Sequence, residues 1–227
     1  MRISQTDVLE FKSSYCNENK IIADLIQQRL LSTFEETIVD VGAGSGDITS
    51  NALSLKRVIQ LDKLDYKEHS SRPGHTRLVG DFFDFEVDRH EKIGTLFFSH
   101  VLQFLDDDVG RLNHKVGSIA PGKIVTVTNV NDEFMGVLLE WTARHVKRSN
   151  PETALSNFPA GYKLTEEISF AGRLVCPDFN VLGKQVQYLM DSEASDSETG
   201  ALEIFLRQNL KSPGFSINQS IKVYSQP

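Results

Sequence analysis

The run Thr37-Ile-Val-Asp-Val-Gly-Ala-Gly-Ser-Gly-Asp-Ile-Thr49 restricts the fold more than any other part of the chain. Ile38, Val39 and Val41 are β-branched and almost unbroken, the pattern of a strand buried on both faces in a parallel sheet. Asp40 interrupts the run near its C-terminal edge, where a carboxylate is costly unless it accepts hydrogen bonds from the following loop or from a ligand. Gly42, Gly44 and Gly46 let the backbone turn sharply and approach a ligand with no Cβ in the way. Asp47 and Thr49 then open a helix whose first N–H groups have no partner inside the helix. Strand, loop and helix together form a ligand cradle.

The spacing narrows the ligand. A dinucleotide fingerprint has the form G-x-G-x-x-G, whereas this loop is G-x-G-x-G, one residue tighter, and it lacks the G-K-[ST] ending of a nucleoside triphosphate loop. With Asp40 before it and Asp47 after it, phosphate is disfavoured. A guest carrying an amino group, a sulfonium charge and a ribose fits better. The acid-x-G-x-G-x-G pattern of Asp40, Gly42, Gly44 and Gly46 resembles the first motif of the class I S-adenosylmethionine-dependent methyltransferases, where Asp47 is also common. For the loop alone, a tight strand-to-helix turn without a ligand stays open as the plainer reading.

Two later segments repeat the arrangement. Arg57-Val-Ile-Gln-Leu-Asp62 reads as a second buried strand ending in a carboxylate, where an α/β nucleotide fold places the acid for the ribose hydroxyls. Thr76-Arg-Leu-Val-Gly-Asp81 ends the same way, with Phe82 behind it. Singly, Asp62 or Asp81 reads as a solvated loop acid, the commoner fate of an aspartate. The resemblance implies that Asp40 and the glycines hold the methionine part of the cofactor and Asp62 the ribose. It also implies that Asp81 takes the adenine amino group, with the neighbouring Phe82 packing on the ring.

A fourth buried strand runs through Ile93-Gly-Thr-Leu-Phe-Phe-Ser99, and Ser99-His100 lies where it leaves the sheet. Ligand crevices in open α/β sheets lie outside the carboxyl ends of the strands, so Ser99, His100 and Gln103 are expected to face the reacting group. The S-H-V-L form here resembles small-molecule methyltransferases and lacks the N-P-P-[YF] tetrad of enzymes that methylate bases and glutamine side chains. His100 is the candidate base, since an imidazole titrates near neutrality; the alternative is a histidine satisfied by backbone at the strand end. Tyr15, in a polar stretch before an amphipathic helix of the leading 1–36 segment, is the second acceptor-side candidate, or else an anchor for its loop.

Beyond this, an acidic run at 106–108 starts a helix towards Ile119, and Ala120-Pro-Gly-Lys123 turns into a fifth strand over 124–128. Asn129 and Asn131 follow at its ligand-side end as pocket residues. A helix is expected over 134–148, a sixth strand over 165–175 and a closing strand over 216–224. Helices over 181–190 and 199–210 make the segment 178–212 longer than a turn requires. It reads as a lid lined by Phe179, Gln185, Tyr188 and Phe205, with a homodimer surface as the competing reading.

The expected fold is a Rossmann-like α/β domain over 1–227, with a seven-stranded sheet that is mostly parallel, a last strand that is antiparallel, and helices on both faces. The formal net charge of −7 argues against nucleic acid as a partner. No apolar run approaches the ~18 residues that would suggest a membrane span, so a soluble, cytoplasmic protein is expected. Cys16 and Cys176 lie far apart, and His69 and His75 have no acid or cysteine at ligand spacing, so neither a disulfide framework nor a metal is expected. The resemblance implies transfer of a methyl group from S-adenosylmethionine to a nitrogen or oxygen of a small molecule. A related domain that modifies a protein or binds without catalysis is the alternative, and a nicotinamide-dependent oxidoreductase is disfavoured by the loop spacing.

Overall fold

The computed structural model describes residues 15–35, 37–65, 72–88, 90–102, 105, 109–130, 136, 140–141, 158–189 and 196–227. Gln103, Asn131, the acidic run 106–108 and most of the helix expected over 134–148 lie outside these residues, as do the side chains of Gln185 and Tyr188. The strands are β1 (Thr37–Val41), β2 (Arg57–Asp62), β3 (His75–Val79), β4 (Ile93–Ser99), β5 (Lys123–Asn129), β6 (Lys163–Val175) and β7 (Gly214–Ser225). The helices are α1 (Glu18–Leu25), α2 (Asp47–Ala52), α3 (Val109–Ile119), α4 (Phe179–Leu189) and α5 (Asp196–Asn209). A π-helical turn at Ile26–Leu30 and a 3-10 turn at Leu31–Thr33 extend α1.

The strands form one seven-stranded mixed sheet in the order β3-β2-β1-β4-β5-β7-β6, with the last strand antiparallel and helices around it. β1 lies parallel between β2 and β4, with Asp40 opposite Gln60 on one side and Phe97 on the other. β3 closes the sheet at one edge, and its Leu78 and Val79 remain exposed. No helix among the described residues is long and apolar enough to cross a membrane.

The chain gathers into two compact units. The larger takes the described residues of Asn19–Thr128, Ser149–Ser169 and Ser220–Pro227. In it, alternation along the strands sends Val39, Val41, Ile59, Leu61, Leu96, Phe98 and Ile124 into one cluster with Leu112 and Val116 of α3. On the other face of β4, Phe97 meets Phe34 edge-on at 5.7 Å, and Ile22, Ile26 and Leu30 on one side of the leading helix are fully buried. Both faces of the central strands are thus covered, which is why their sequences are apolar almost without alternation.

The smaller unit takes the described residues of Met1–Glu18, Asn129–Arg148 and Phe170–Gln219. Leu182 and Val186 of α4 and Leu202, Phe205 and Leu206 of α5 recur at helical spacing and close on Trp141, Leu174, Cys176 and Ile217. Phe205, expected in the lining of a lid, is a buried member of this cluster with its ring 5.0 Å from Trp141. Burial pushes the Cys176 thiol up to about 11, helped by the charge of Asp178, so it is a packing residue rather than a reactive one.

Phe97→Ala should remove the fully buried ring that Phe34 packs against and cost about 3–5 kcal/mol. Urea unfolding followed by circular dichroism checks this; a loss under about 1 kcal/mol would mean that the site collapses around the gap.

Candidate functional site

The carboxyl edge of β1, β2 and β3 is built on a row of polar residues inside an apolar sheet. Asp40, Gln60 and Arg77 stand opposite one another in register across the three strands. Asp40 is 3% exposed, and its Oδ2 accepts from Thr49 Oγ1 of α2 at 2.7 Å. Gln60 is 1% exposed, and its Nε2 lies 3.2 Å from Gly46 O, 3.2 Å from Thr49 Oγ1 and 3.1 Å from Ser50 Oγ. The buried amide therefore ties the glycine loop and the first turn of α2 to the sheet.

The glycines follow from this arrangement. Gly42, Gly44 and Gly46 all have positive φ, which side chains with a Cβ rarely adopt. A Cβ on Gly46 would fall 2.3 Å from Gln60 Nε2, and one on Gly42 would fall 2.2 Å from Val101 Cγ2. At Gly44 a Cβ would meet nothing within 4 Å among the described residues. The backbone N–H groups of Gly42 and Ala43 both donate to Leu61 O, at 2.8 and 3.1 Å, and Gly46 N donates to Ala43 O at 2.8 Å.

Asp62 ends β2 and is 9% exposed. Its Oδ2 accepts from Gly44 N at 2.9 Å and its Oδ1 from Leu64 N at 3.0 Å, so the acid read as a ribose ligand also holds the loop. Asp81 lies just past β3, with Oδ1 accepting from Phe83 N at 2.9 Å and Oδ2 2.8 Å from Lys63 Nζ. Partial burial raises its pKa, but the Lys63 and Phe83 hydrogen bonds and the nearby cations outweigh that and hold it below the ordinary aspartate range. Phe82, expected on the ligand's ring, is 2% exposed and packs against Phe98 at 5.6 Å. The neighbouring Phe83 is only partly buried and carries Arg111 over its face at 4.0 Å.

At the end of β4, Ser99 Oγ is buried with no hydrogen-bond partner among the described residues. His100 follows with φ of 53°, in the left-handed region, which costs a residue with a Cβ about 1–3 kcal/mol and recurs at functional turns. Its N–H is held by Val127 O at 3.0 Å. Sequence reading named Asp40, the glycines, Asp62, Asp81, Ser99 and His100, and the larger unit brings all of them to the carboxyl ends of β1–β4. It missed Thr49, Gln60, Lys63 and Arg77; a glutamine and an arginine inside strand patterns were the available signal.

The remaining described candidates belong to the smaller unit. Tyr15 packs against the Leu174 cluster. Phe179 packs there too, with the guanidinium of Arg207 4.9 Å above its ring. Asn129 Oδ1 accepts from Gln219 Nε2 at 3.2 Å, and the same amide donates to Glu18 Oε2 at 2.8 Å.

No protein-family model matches the chain, and no curated protein matches it by sequence. Among solved structures it is similar to a candidate methyltransferase from Bacillus halodurans C-125, with TM-score 0.55 and 10% identity over 93% of this chain and 99% of that one. The chain shares that structure's fold, a Rossmann-like seven-stranded mixed sheet. A candidate type II methyltransferase from Anaeromyxobacter dehalogenans is similar with TM-score 0.52 and 13% identity, over 92% of this chain and 94% of that one. The phosphoethanolamine N-methyltransferase 2 of Haemonchus contortus, solved with phosphomonomethylethanolamine and S-adenosylhomocysteine, has TM-score 0.51 and 13% identity. That match covers 99% of this chain and 58% of the other. At these identities the likeness is one of fold.

Asp40 gives the site a pH dependence. Burial pushes its carboxyl up to about 7; the Thr49 hydrogen bond opposes this, the charge of Asp62 adds to it and that of Arg77 reduces it. An unfolded aspartate loses its proton near pH ~4. Between that value and about 7 the folded state keeps a proton that the unfolded state has lost, so stability falls as pH rises through this window and levels off above it. Asp40→Asn should flatten that part of the profile and gain on the wild type as pH rises from 5 to 8. Melting temperatures of both proteins across this range check it, and parallel profiles would contradict the assignment.

Proposed function

We propose that the chain is an S-adenosylmethionine-dependent methyltransferase that methylates a nitrogen or oxygen of a small molecule. The observation that carries this reading is the set of three carboxylates, Asp40, Asp62 and Asp81, at the ends of adjacent strands beside a loop of three positive-φ glycines. Three acceptors match the three donor-bearing parts of that cofactor: its ammonium, its ribose hydroxyls and its adenine amino group. The donor set fits in two further respects. Among the described residues nothing lies within 4 Å of a notional Cβ on Gly44, and the buried Ser99 hydroxyl has no partner, which leaves it a hydrogen bond to give.

In this reading Asp40 and the glycine loop hold the methionine part, Asp62 the ribose and Asp81 the adenine end, with Phe82 backing it from the core. The cofactor supplies a methyl group on a cationic sulfur. Ser99 orients it, and His100, fixed in a turn that few residues adopt, takes the proton of an oxygen or nitrogen nucleophile. A neutral amine needs little such help, and the larger contribution is then alignment of acceptor and donor. Gln103, three residues after His100, is a further acceptor-side residue in this reading, in a soluble cytoplasmic enzyme. The small phosphorylated amine and S-adenosylhomocysteine on the Haemonchus contortus enzyme support a small acceptor on this fold.

One observation favours a second reading, a methyltransferase-like partner that binds the cofactor weakly. Lys63 already pairs with Asp81, and both oxygens of Asp62 already accept backbone N–H groups.

The test is the melting temperature with S-adenosylmethionine, S-adenosylhomocysteine or NAD added separately. A ligand at a hundred times its Kd stabilises the folded state by about 2.7 kcal/mol. For a chain of this size that is a rise of roughly 5–10 °C. The first two should give it and NAD should not. No rise with S-adenosylmethionine overturns the enzymatic reading in favour of the second.

A further inference from the structure

We propose that Arg77 is a positioning residue that, together with Asp62, clamps Gly44 and Leu64 by both of their backbone groups and so presets the glycine loop for its ligand. The inference deepens the reading above and rests on it for the ligand's identity, but not for the clamp. Arg77 Nη1 donates to Gly44 O at 2.6 Å and Nη2 to Leu64 O at 3.3 Å. The N–H groups of the same two residues donate to Asp62, at 2.9 and 3.0 Å. One carboxylate and one guanidinium thus take the N–H and the carbonyl of the same two residues, joining the loop after β1 to the loop after β2.

The sheet register explains why an arginine stands there. Arg77 lies opposite Gln60, which lies opposite Asp40. Gln60 holds the carbonyl of Gly46 and Arg77 that of Gly44, so the polar row beneath the loop engages both carbonyls. Gly44 has φ of +58°, and among the described residues nothing lies within 4 Å of a notional Cβ, so the contacts seen to hold it are hydrogen bonds. A planar fork with several N–H donors reaches two carbonyls at once, and an ammonium on a flexible stem does not reproduce that geometry. The positive charge also sits beside two buried carboxylates, Asp40 and Asp62, whose mutual repulsion it offsets.

The test compares the full chain with Arg77→Met and Arg77→Lys. The first readout, hydrogen exchange without ligand, should show the amides of Gly44 and Leu64 exchanging about tenfold faster or more in Arg77→Met, with β1 and β4 unchanged, as expected for lost charge-assisted hydrogen bonds. Arg77→Lys should fall between the two. Unchanged exchange at Gly44 and Leu64, or acceleration spread evenly over β1 and β4, would overturn the clamp. The second readout is calorimetric affinity for S-adenosylhomocysteine, expected to weaken about tenfold or more in Arg77→Met and to recover in part in Arg77→Lys. A wild type that binds but an Arg77→Met that binds equally well overturns the positioning role. A wild type that does not bind overturns the ligand reading, while the exchange result still decides the clamp. Should Arg77→Met fail to fold, Arg77→Lys decides by the same two readouts.

Discussion

The carboxylate of Asp62 has to be satisfied at the end of a nearly buried strand, and much of the site follows from how that is done. A buried charge is tolerated only where several donors converge on it. Here they are the N–H groups of Gly44 and Leu64, each from a different loop. The bond to Gly44 fixes a residue that has no side chain to pack, and the carbonyl of Leu61 one residue earlier takes the N–H groups of Gly42 and Ala43. The end of β2 is therefore the template on which the loop after β1 is moulded.

The same logic extends sideways through the polar row. Asp40, Gln60 and Arg77 are costly guests in a sheet face, yet each is matched by a hydroxyl or a carbonyl of the loop and helix above it. Thr49 is the link, giving its proton to Asp40 and accepting from Gln60. An apolar row would bury more hydrocarbon and stabilise the sheet, but it would leave the carbonyls of Gly44 and Gly46 to water and the loop without a fixed shape. Burial of Asp40 also places its titration near neutrality, so the charge beside the loop varies over a physiological range.

How much of this could be read from the sequence depends on the range over which each feature is determined. The β-branched runs at Ile38–Val41 and Val58–Ile59, the apolar run of β4 and the glycine loop are local signals, and the strands appear where they predict. The acids at strand ends were legible for the same reason. What Asp62 does with its two oxygens was not, because Leu64 and Gly44 meet only once β1 and β2 pair in register. Nothing local marks Arg77, since its partner carbonyl lies in the loop after another strand. Phe82 was assigned by position beside Asp81, whereas the turn sends it into the core and leaves Phe83 nearer the surface. The left-handed turn at His100 had no glycine or asparagine to announce it.

The most direct measurement is a crystal structure of the chain grown with S-adenosylhomocysteine. The expected result is the ribose hydroxyls on Asp62, with the bonds from Gly44 N and Leu64 N kept, and the adenine amino group at Asp81 with Lys63 moved aside. Ligand density away from the ends of β1 to β3, or Lys63 still paired with Asp81 and Asp62 out of reach of the ribose, would contradict the site.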